Sequence, residues 1–136
     1  MSDQNKALVR HTYDAFNTGN LEILDEVLGV NVVDHNPFPG QPQGITGVKQ
    51  LVMMLRSAFP DFHITVEDMI AEGDKVAVRV VNQGTHQGEF MGIPATGKEV
   101  TQTGIEILRI AGGKVVERWG EFDNLGMMQQ LGVAPS

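Results

Sequence analysis

The spacing of apolar side chains changes near the middle of the chain from a helical period to an alternating one. Residues 4–17, 21–28 and 46–59 repeat apolar positions every three or four residues, which predicts three helices. The first helix carries Tyr13 on its apolar face. The third ends before Pro60, because the residue that precedes a proline disfavours helical geometry.

The second half of the chain predicts strands. Residues 62–70, 75–88, 99–110 and 114–122 alternate apolar and polar side chains and are rich in β-branched residues. This pattern predicts four long strands joined by tight turns. A brief strand at 31–36 lies earlier in the chain, ahead of a loop whose prolines and glycines exclude regular structure.

Helices followed by hairpin-connected strands predict an α+β fold, with three N-terminal helices packed on a strongly bent antiparallel sheet. Gly84, Gly104 and Gly120 lie inside or at the ends of strand patterns, where glycines often mark bends. We therefore expect a cone-shaped α+β barrel whose open end is a ligand pocket. The length of 136 residues predicts one domain over 1–136.

Charge and composition narrow the function. The net charge of −7 and the sequence pI of about 4.9 argue against a nucleic-acid partner. The absence of cysteine excludes disulfides, thiolate metal sites and a cysteine nucleophile. The N-terminus lacks the apolar core of a signal peptide, and no apolar run approaches the roughly 18 residues of a membrane span. We predict a soluble, cytoplasmic protein with no membrane partner.

Four polar residues fall where the pocket is expected. His35 ends the brief strand, His86 lies late in the second long strand, Glu106 lies in an apolar strand, and Asp123 ends the last strand. Strand alternation puts Gln102 on the same face as Glu106. Which face of each strand points into the cone stays open at this stage. If Glu106 and Asp123 both point inward, two carboxylates share one apolar cavity, which favours proton exchange near neutral pH.

Each of these residues also has a structural interpretation. Asp123 precedes "NLGMMQQLG" and suits the N-cap of a helix. His35 suits a turn, His86 a solvent-exposed edge, and Glu106 an exposed sheet face. Trp119 suits packing as well as ligand contact. No HxH, HxxxH or HExxH spacing is present, and no nucleotide motif, so we predict neither a metal site nor a cofactor.

Three motifs resemble a known family. They are "H-x-G-x-F-x-G-x-P-x-T-G" at 86–97, "RI-x-x-GK" at 109–114 and "D-x-x-x-x-x-QQLG" at 123–132. Together with the order of elements from about residue 5 to residue 133, they resemble the SnoaL-like polyketide cyclase (ester cyclase) family of the nuclear transport factor 2-like superfamily.

The resemblance implies a fold and a reaction. Its members are cone-shaped α+β proteins that close a ring in a polyketide ester by an intramolecular aldol reaction, without metal or cofactor. The aspartate that removes the proton matches Asp123, and the histidine of "GTHQG" matches His86. A pocket histidine of some cyclases falls at Glu106, and its polar partner falls at Gly104, so both positions depart from the family pattern.

Our first hypothesis is therefore a cofactor-free cyclase, or a ketosteroid isomerase-like enzyme, acting on a hydrophobic carbonyl compound. Removing a proton next to a carbonyl needs a base in a water-poor pocket and donors where the enolate charge develops. Asp123 is the predicted general acid/base, and His35, His86 and a protonated Glu106 are the predicted partners of the enolate oxygen. The predicted substrate contacts are Trp119, Phe38, Phe90, Met91, Tyr13 and Gln102.

Two alternatives stay open. One is a non-catalytic small-molecule-binding or dimerisation module of the same fold. The other is an epoxide hydrolase-like enzyme, which needs an Asp–Arg–Asp set; Arg118 is predicted to face away from Asp123. Neither side of the strand at 75–81 is plainly polar, so we expect its outer face to be covered in a homodimer, with a tetramer as the alternative.

Overall fold

The computed structural model describes residues 2–133, and its elements follow the predicted order. They are α1 (Ser2–Thr18), α2 (Glu22–Val27), β1 (Leu28–Asp34), α3 (Gly44–Ala58), β2 (His63–Glu72), β3 (Lys75–Thr85), β4 (Glu99–Ala111), β5 (Lys114–Phe122) and α4 (Asn124–Leu131). Within this part of the chain, no helix is both long and apolar enough to cross a membrane.

The helices follow from the apolar stripes of the sequence. In α1 the buried side chains include Val9, Thr12 and Tyr13, whose spacing of three and four residues puts them on one face. The helix α3 ends at Ala58, ahead of Pro60, as predicted. The helices α1 and α3 pack on the sheet through β2 and β1 respectively, and α4 packs on β4.

The sheet has the strand order β1-β5-β4-β3-β2 and is mixed. The pairs β2–β3, β3–β4 and β4–β5 are antiparallel, but β1 runs parallel to β5, with Asp34 opposite Arg118. The prediction of an antiparallel sheet is therefore wrong for this one pair. Two-residue turns at 73–74 and 112–113 force antiparallel pairing on β2–β3 and β4–β5, whereas the tight turn expected between β3 and β4 is instead a longer loop at 86–98. The strand β1 is separated from β5 by most of the chain and is free of the hairpin constraint.

The sheet curls so that one face encloses the core. Register shifts interrupt β2 between Val66 and Asp68 and β4 between Arg109 and Ile110, and such bulges bend a sheet. On the inner face of β3, a run of alternating valines is almost completely buried (Val76, Val78 and Val80). The curled sheet and the helices form the predicted cone.

One glycine of the inner face is needed for this packing. Gly104 pairs with Phe122 across β4 and β5, and the Phe122 ring lies over it. A Cβ at position 104 would lie well inside van der Waals distance of the ring. The glycine therefore allows an aromatic side chain to lie flat on the sheet at this point.

Candidate active site

A cavity of about 470 Å³ lies between the helices and the inner face of the sheet. Its lining comes from α1, α3, α4, all five strands and three loops. Most of the lining is apolar, so the few polar groups within it stand in a water-poor environment. The apolar lining residues include Leu28, Val32, Phe38, Leu51, Leu55, Phe59, Phe62, Phe90, Met91, Leu108, Phe122 and Met127.

The central polar group of the cavity is the carboxylate of Glu106. Its side chain is buried, with 6% of the residue surface exposed. The Tyr13 hydroxyl donates to Oε1 at 2.8 Å, and Nε of Arg118 donates to Oε2 at 2.6 Å. Glu106 thus carries one donor on each oxygen, as a buried carboxylate requires.

Arg118 connects Glu106 to a second buried carboxylate. Its Nη1 donates to Oδ1 of Asp34 at 2.9 Å. Asp34 also accepts from the backbone N–H of Asn36 at 3.0 Å and from Nε2 of Gln41 at 3.2 Å. The parallel pairing of β1 with β5 puts Asp34 beside Arg118. One guanidinium therefore lies between two carboxylates in the cavity wall.

The cluster raises the pKa values of Tyr13 and Arg118, so both groups stay protonated. Burial raises the pKa of Tyr13 well above its ordinary value, and the neighbouring charge of Glu106 raises it further. Burial alone lowers the pKa of Arg118, but Glu106 and Asp34 together more than offset this and raise it above its ordinary value. At neutral pH, Tyr13 is consequently a neutral hydrogen-bond donor and Arg118 a permanent cation.

A row of three side-chain amides lines another part of the cavity. Nδ2 of Asn82 donates to Oε1 of Gln102 at 3.2 Å, and Nε2 of Gln102 donates to Oδ1 of Asn124 at 2.9 Å. Asn82 and Gln102 are register partners on β3 and β4. Their side chains point to the inner face, and all three residues line the cavity.

Several predicted site residues lie together in this cavity. Glu106 does so on the inner face of β4, and the predicted substrate contacts Tyr13, Phe38, Phe90, Met91 and Gln102 belong to the lining. The alternation that puts Gln102 and Glu106 on one face of β4 is confirmed, since the intervening Thr103 and Ile105 are exposed. Their contact with a substrate stays a prediction.

Asp123 lies elsewhere. It is exposed, its Oδ1 accepts from the backbone N–H of Gly126 at 2.8 Å, and it is the N-cap of α4. It is absent from the cavity lining, although Asn124 belongs to it. Asp123 and Glu106 therefore do not share the cavity, and a catalytic role of Asp123 stays a prediction. The reason is local, because the carboxylate turns to the free N–H groups of the helix that begins after it.

His35 and Trp119 lie together on the outer face of the sheet, outside the cavity. Their rings stack with centroids 4.6 Å apart and an angle of 4° between planes. Nε2 of His35 lies 2.8 Å from Oε2 of Glu117. Hydrogen bonds from His35 and Arg109 lower the pKa of Glu117. Glu117 and Trp119 alternate with the inward-facing Arg118 and Gly120 of β5, and His35 stacks on Trp119, so the structure places neither ring in the cavity.

His86 is fully buried, but behind the cavity wall. Its ring packs against Phe59 and Phe90, with centroids 5.5 and 6.5 Å away. The backbone N–H of Thr96 donates to Nδ1 of the ring at 3.3 Å, and the Thr96 hydroxyl lies 3.0 Å from the same nitrogen. His86 holds the loop between β3 and β4, and it is absent from the lining. A direct contact with a substrate does not follow from this position.

The polar cavity residues that sequence reasoning missed include Asp34, Asn82 and Arg118. Arg118 was predicted to face away from Asp123, and it lies on the inner face of β5 with Gly120 and Phe122, whereas Asp123 lies outside the cavity. The sequence carried a signal for this inward position, because Arg118 lies on the same side of the strand pattern as Gly120 and Phe122. A glycine and an aromatic residue both suit a crowded interior. Asp34 had no such signal, since its partner lies 84 positions away.

Comparison with known proteins gives consistent matches. The family described as SnoaL-like polyketide cyclase matches residues 6–131. An aklanonic acid methyl ester cyclase, DauD of Streptomyces sp. (strain C5), is 31% identical over 92% of this chain and 80% of its own length. The nogalonic acid methyl ester cyclase of Streptomyces nogalater is 32% identical over 87% of this chain and 90% of its own length.

Solved structures agree with this match. TsrD from Streptomyces laurentii superposes with a TM-score of 0.91 and 31% identity, covering 98% of both chains. IdmH from Streptomyces antibioticus superposes with a TM-score of 0.84 and 37% identity, covering 96% of this chain and 99% of its own.

Proposed function

The chain belongs to the SnoaL-like polyketide cyclase family, and we propose that it is a cofactor-free cyclase that removes a proton next to a carbonyl of a hydrophobic, polyketide-like small molecule. The relatives act on aklanonic and nogalonic acid methyl esters, which supports a substrate of this general class. The cavity of about 470 Å³ is large enough for a small molecule and is mostly apolar.

The observation that carries the proposal is the buried carboxylate of Glu106 between two donors. A general base for a carbon acid needs a carboxylate in a dry site, and the enolate oxygen needs donors close to it. Tyr13 and Arg118 each lie within hydrogen-bond distance of Glu106. Tyr13 and Arg118 also line the cavity, so once Glu106 has taken up the proton these donors can turn from its oxygens to an enolate oxygen beside it.

The proposed reaction needs no oxidant or reductant. Glu106 takes a proton from the carbon next to the first carbonyl, and the electron pair of that C–H bond delocalises onto the carbonyl oxygen as an enolate. The enolate carbon then forms a bond to the carbon of a second carbonyl, whose oxygen becomes an alkoxide. The proton held on Glu106 is returned to that alkoxide. Arg118 carries a permanent positive charge and offsets the negative charge throughout.

Asp123 is the alternative base, because the family resemblance assigns this role to its position. The two assignments make opposite predictions for paired variants. Proton exchange at the α-carbon of hydrophobic β-keto esters and cyclic enones is followed by NMR in deuterated water. We expect Glu106→Gln to lose about 100-fold or more in exchange rate. Asp123→Asn keeps a capping side chain, and we expect it to stay within a few-fold of wild type.

The other outcomes have defined meanings. Loss of exchange in Asp123→Asn, with exchange retained in Glu106→Gln, assigns the base to Asp123. Tight binding of the same compounds by the wild type without any exchange favours the non-catalytic binding module.

One observation favours a second candidate, an epoxide hydrolase-like activity. Arg118 lies between Asp34 and Glu106, a carboxylate–arginine–carboxylate arrangement suited to activating water. One carboxylate takes a proton from water, and the oxygen of that water bonds to an epoxide carbon as the C–O bond of the epoxide at that carbon breaks. The carboxylate then returns its proton to the opened oxygen, which gives a diol. To test this candidate, the protein is incubated with styrene oxide and the diol is quantified. Diol formation without exchange at the α-carbon favours this candidate over the cyclase.

We also propose that two copies pair through the outer face of the sheet. Ile105 and Ile107 alternate with the inward residues of β4, and their exposed fractions are 58% and 40%. An exposed apolar sheet face of this kind marks an interaction surface.

A further inference from the structure

One nitrogen of the Arg118 guanidinium is unused in the cavity wall. A guanidinium carries five N–H donors, one on Nε and two on each Nη nitrogen. Nε donates to Oε2 of Glu106, and Nη1 donates to Oδ1 of Asp34 and to the backbone oxygen of Asn36. Nη2 has no hydrogen-bond partner within residues 2–133. Both of its N–H groups therefore remain available to a ligand.

Nη2 also has accessible surface. The side-chain atoms that are both fully buried and unpaired in this part of the chain belong to Asn82 and His86, so the unpaired Nη2 is not fully buried. Arg118 lines the cavity, and 18% of its side chain is exposed. An open donor on a permanent cation is a strong binding group for an oxygen of a ligand.

Gly120 gives the guanidinium the room to lie in this position. It faces the cavity on β5, directly opposite Glu106 on β4. A Cβ at position 120 would lie 2.5 Å from Nη2 and 2.9 Å from Cζ of Arg118. The guanidinium therefore packs on the bare backbone of the strand, where Glu106 and Asp34 hold it. Because Nη2 and Nε share one carbon, the free nitrogen lies next to the carboxylate that is the proposed base.

The charges of the cluster favour a neutral oxygen at Nη2. Asp34 and Glu106 contribute two carboxylates and Arg118 contributes one cation, so a carboxylate ligand would meet a surplus of negative charge. The oxygen of a ketone or an ester accepts the same hydrogen bond without that repulsion. We therefore expect a carbonyl oxygen at this nitrogen.

Proton transfer to Glu106 frees a second donor beside the first. In the resting protein Oε2 of Glu106 accepts from Nε of Arg118. Once Oε2 carries the proton taken from the substrate, that oxygen is itself a donor, and Nε loses its acceptor. The Nε–H and the nearer N–H of Nη2 point in the same direction and form a planar fork that matches two neighbouring oxygens. The site thus has one donor ready before proton transfer and a parallel one after it.

We propose that the substrate is a β-dicarbonyl compound, a β-diketone or β-keto ester, whose two oxygens bind this fork. One carbonyl oxygen binds Nη2 at rest, and the carbon between the two carbonyls lies beside Glu106, whose role as the base rests on the proposed function. The electron pair of the broken C–H bond spreads over both oxygens, and the second oxygen binds Nε. Two flanking carbonyls also acidify that C–H bond, which suits a base as weak as a carboxylate. The carbonyl that the enolate then attacks is a further group of the same molecule.

Three matched probes test the fork. Ethyl benzoylacetate has one carbon between its ketone and its ester carbonyl, a homologue has two, and a phenyl alkyl ketone of similar length lacks the ester. Exchange of the α-protons in deuterated water is followed by NMR and divided, for each probe, by the exchange rate in buffer without protein. Wild type is compared with Arg118→Lys, Arg10→Lys and Glu106→Gln. Circular dichroism and thermal melting check the fold of each variant.

Arg118→Lys keeps the charge but removes the free donor. The three N–H groups of lysine suffice only for the three acceptors that Arg118 binds, on Glu106, Asp34 and Asn36. Arg10→Lys is the matched control, because Arg10 is exposed on α1 and absent from the cavity lining.

In wild type and Arg10→Lys we expect the rate enhancement for ethyl benzoylacetate to exceed that for either other probe by about tenfold, the effect of one additional hydrogen bond to a charged group. In Arg118→Lys we expect this ratio to fall to about twofold or less. Equal enhancements for the three probes in wild type, or an undiminished ratio in Arg118→Lys, overturn the inference. The wild-type comparison decides even where Arg118→Lys does not fold.

The same data separate this inference from the proposed function. Equal enhancements that are lost in Glu106→Gln overturn the β-dicarbonyl assignment and support the cyclase. No enhancement for any probe overturns both. A preference for ethyl benzoylacetate that persists in Glu106→Gln also overturns the inference, because the release of Nε requires the proton on Glu106.

Discussion

The hydroxyl of Tyr13 donates a 2.8 Å hydrogen bond to Oε1 of Glu106 and so joins the first helix to the fourth strand inside the cavity. A phenol buried beside a carboxylate keeps its proton, because ionisation would put two negative charges side by side. This contact also connects the stability of the protein to pH.

We expect alkaline pH to destabilise the protein through Tyr13. Its folded-state pKa is raised by burial and by Glu106. The stabilisation is complete below the unfolded-state value of about 10 and is lost as pH rises from there through the folded-state pKa. Tyr13 is the only tyrosine, so tyrosinate absorbance reports this residue alone. Tyr13→Phe is the control and should lose this pH dependence. Tyrosinate absorbance that develops near pH 10 in folded protein would contradict the prediction.

Removal of the Asp123 cap should destabilise α4. Asp123 accepts from the N–H of Gly126 at the start of that helix. We expect Asp123→Ala to lower the free energy of unfolding by about 1 kcal/mol, measured by urea denaturation. Asp123→Asn is the matched control, because asparagine caps helices about as well as aspartate. Equal stability of the alanine and wild-type proteins would show that the cap contributes nothing.

A side chain at position 104 should disturb the Phe122 ring. We expect Gly104→Ala to cost about 1–3 kcal/mol in unfolding free energy, because the new methyl group overlaps the ring that lies on the sheet. The same change in a Phe122→Leu background should cost less, because leucine leaves more room above the strand. Thermal melting of wild type, the two single variants and the double variant measures the coupling free energy between positions 104 and 122. An equal cost in both backgrounds would locate the strain elsewhere.

Loss of Arg118 should leave two buried carboxylates without their cation. Arg118→Met is expected to lower the unfolding free energy by about 3–5 kcal/mol. Adding Glu106→Gln should recover part of that loss, because one of the two uncompensated charges is then absent. Urea denaturation of the single and double variants measures the recovery. A double variant that is less stable than Arg118→Met would refute this account of the cluster.

The proposed dimer depends on the outer face of β4. Sedimentation velocity should show wild type as a dimer and Ile105→Lys as a monomer, because a charge at the centre of an apolar interface opposes association. Leu125→Lys is the control, since Leu125 is exposed on α4, away from that face, and should leave the dimer intact. A monomeric wild type would exclude the dimer.

Local patterns predicted most of the fold. The change from a helical to an alternating period gave the helices, and the hairpin turns gave the order of β2–β5. Alternation also placed Gln102 and Glu106 on one face, because neighbours on a strand always point to opposite sides. These are properties of short segments, which a single sequence carries in full.

The composition of the cavity was harder to predict. The inward face of β5 depends on its register with β4 and on the bulge after Arg109, which no local pattern reveals. Asp34 and His35 are neighbours on alternate faces, so an uncertainty of one residue decided which of them enters the cavity. Asp123 fitted two roles equally well, and only the position of α4 separates them geometrically.

The parallel pairing of β1 and β5 also limits how early the chain can fold during its synthesis. Asp34 belongs to the first quarter of the chain and Arg118 to the last, so a growing polypeptide cannot bring them together until synthesis is nearly complete. Until then the first half has helices and one unpaired strand, with apolar surface exposed. The cavity therefore cannot be complete before β5 and α4 have been synthesised, and truncation within β5 would remove part of its wall.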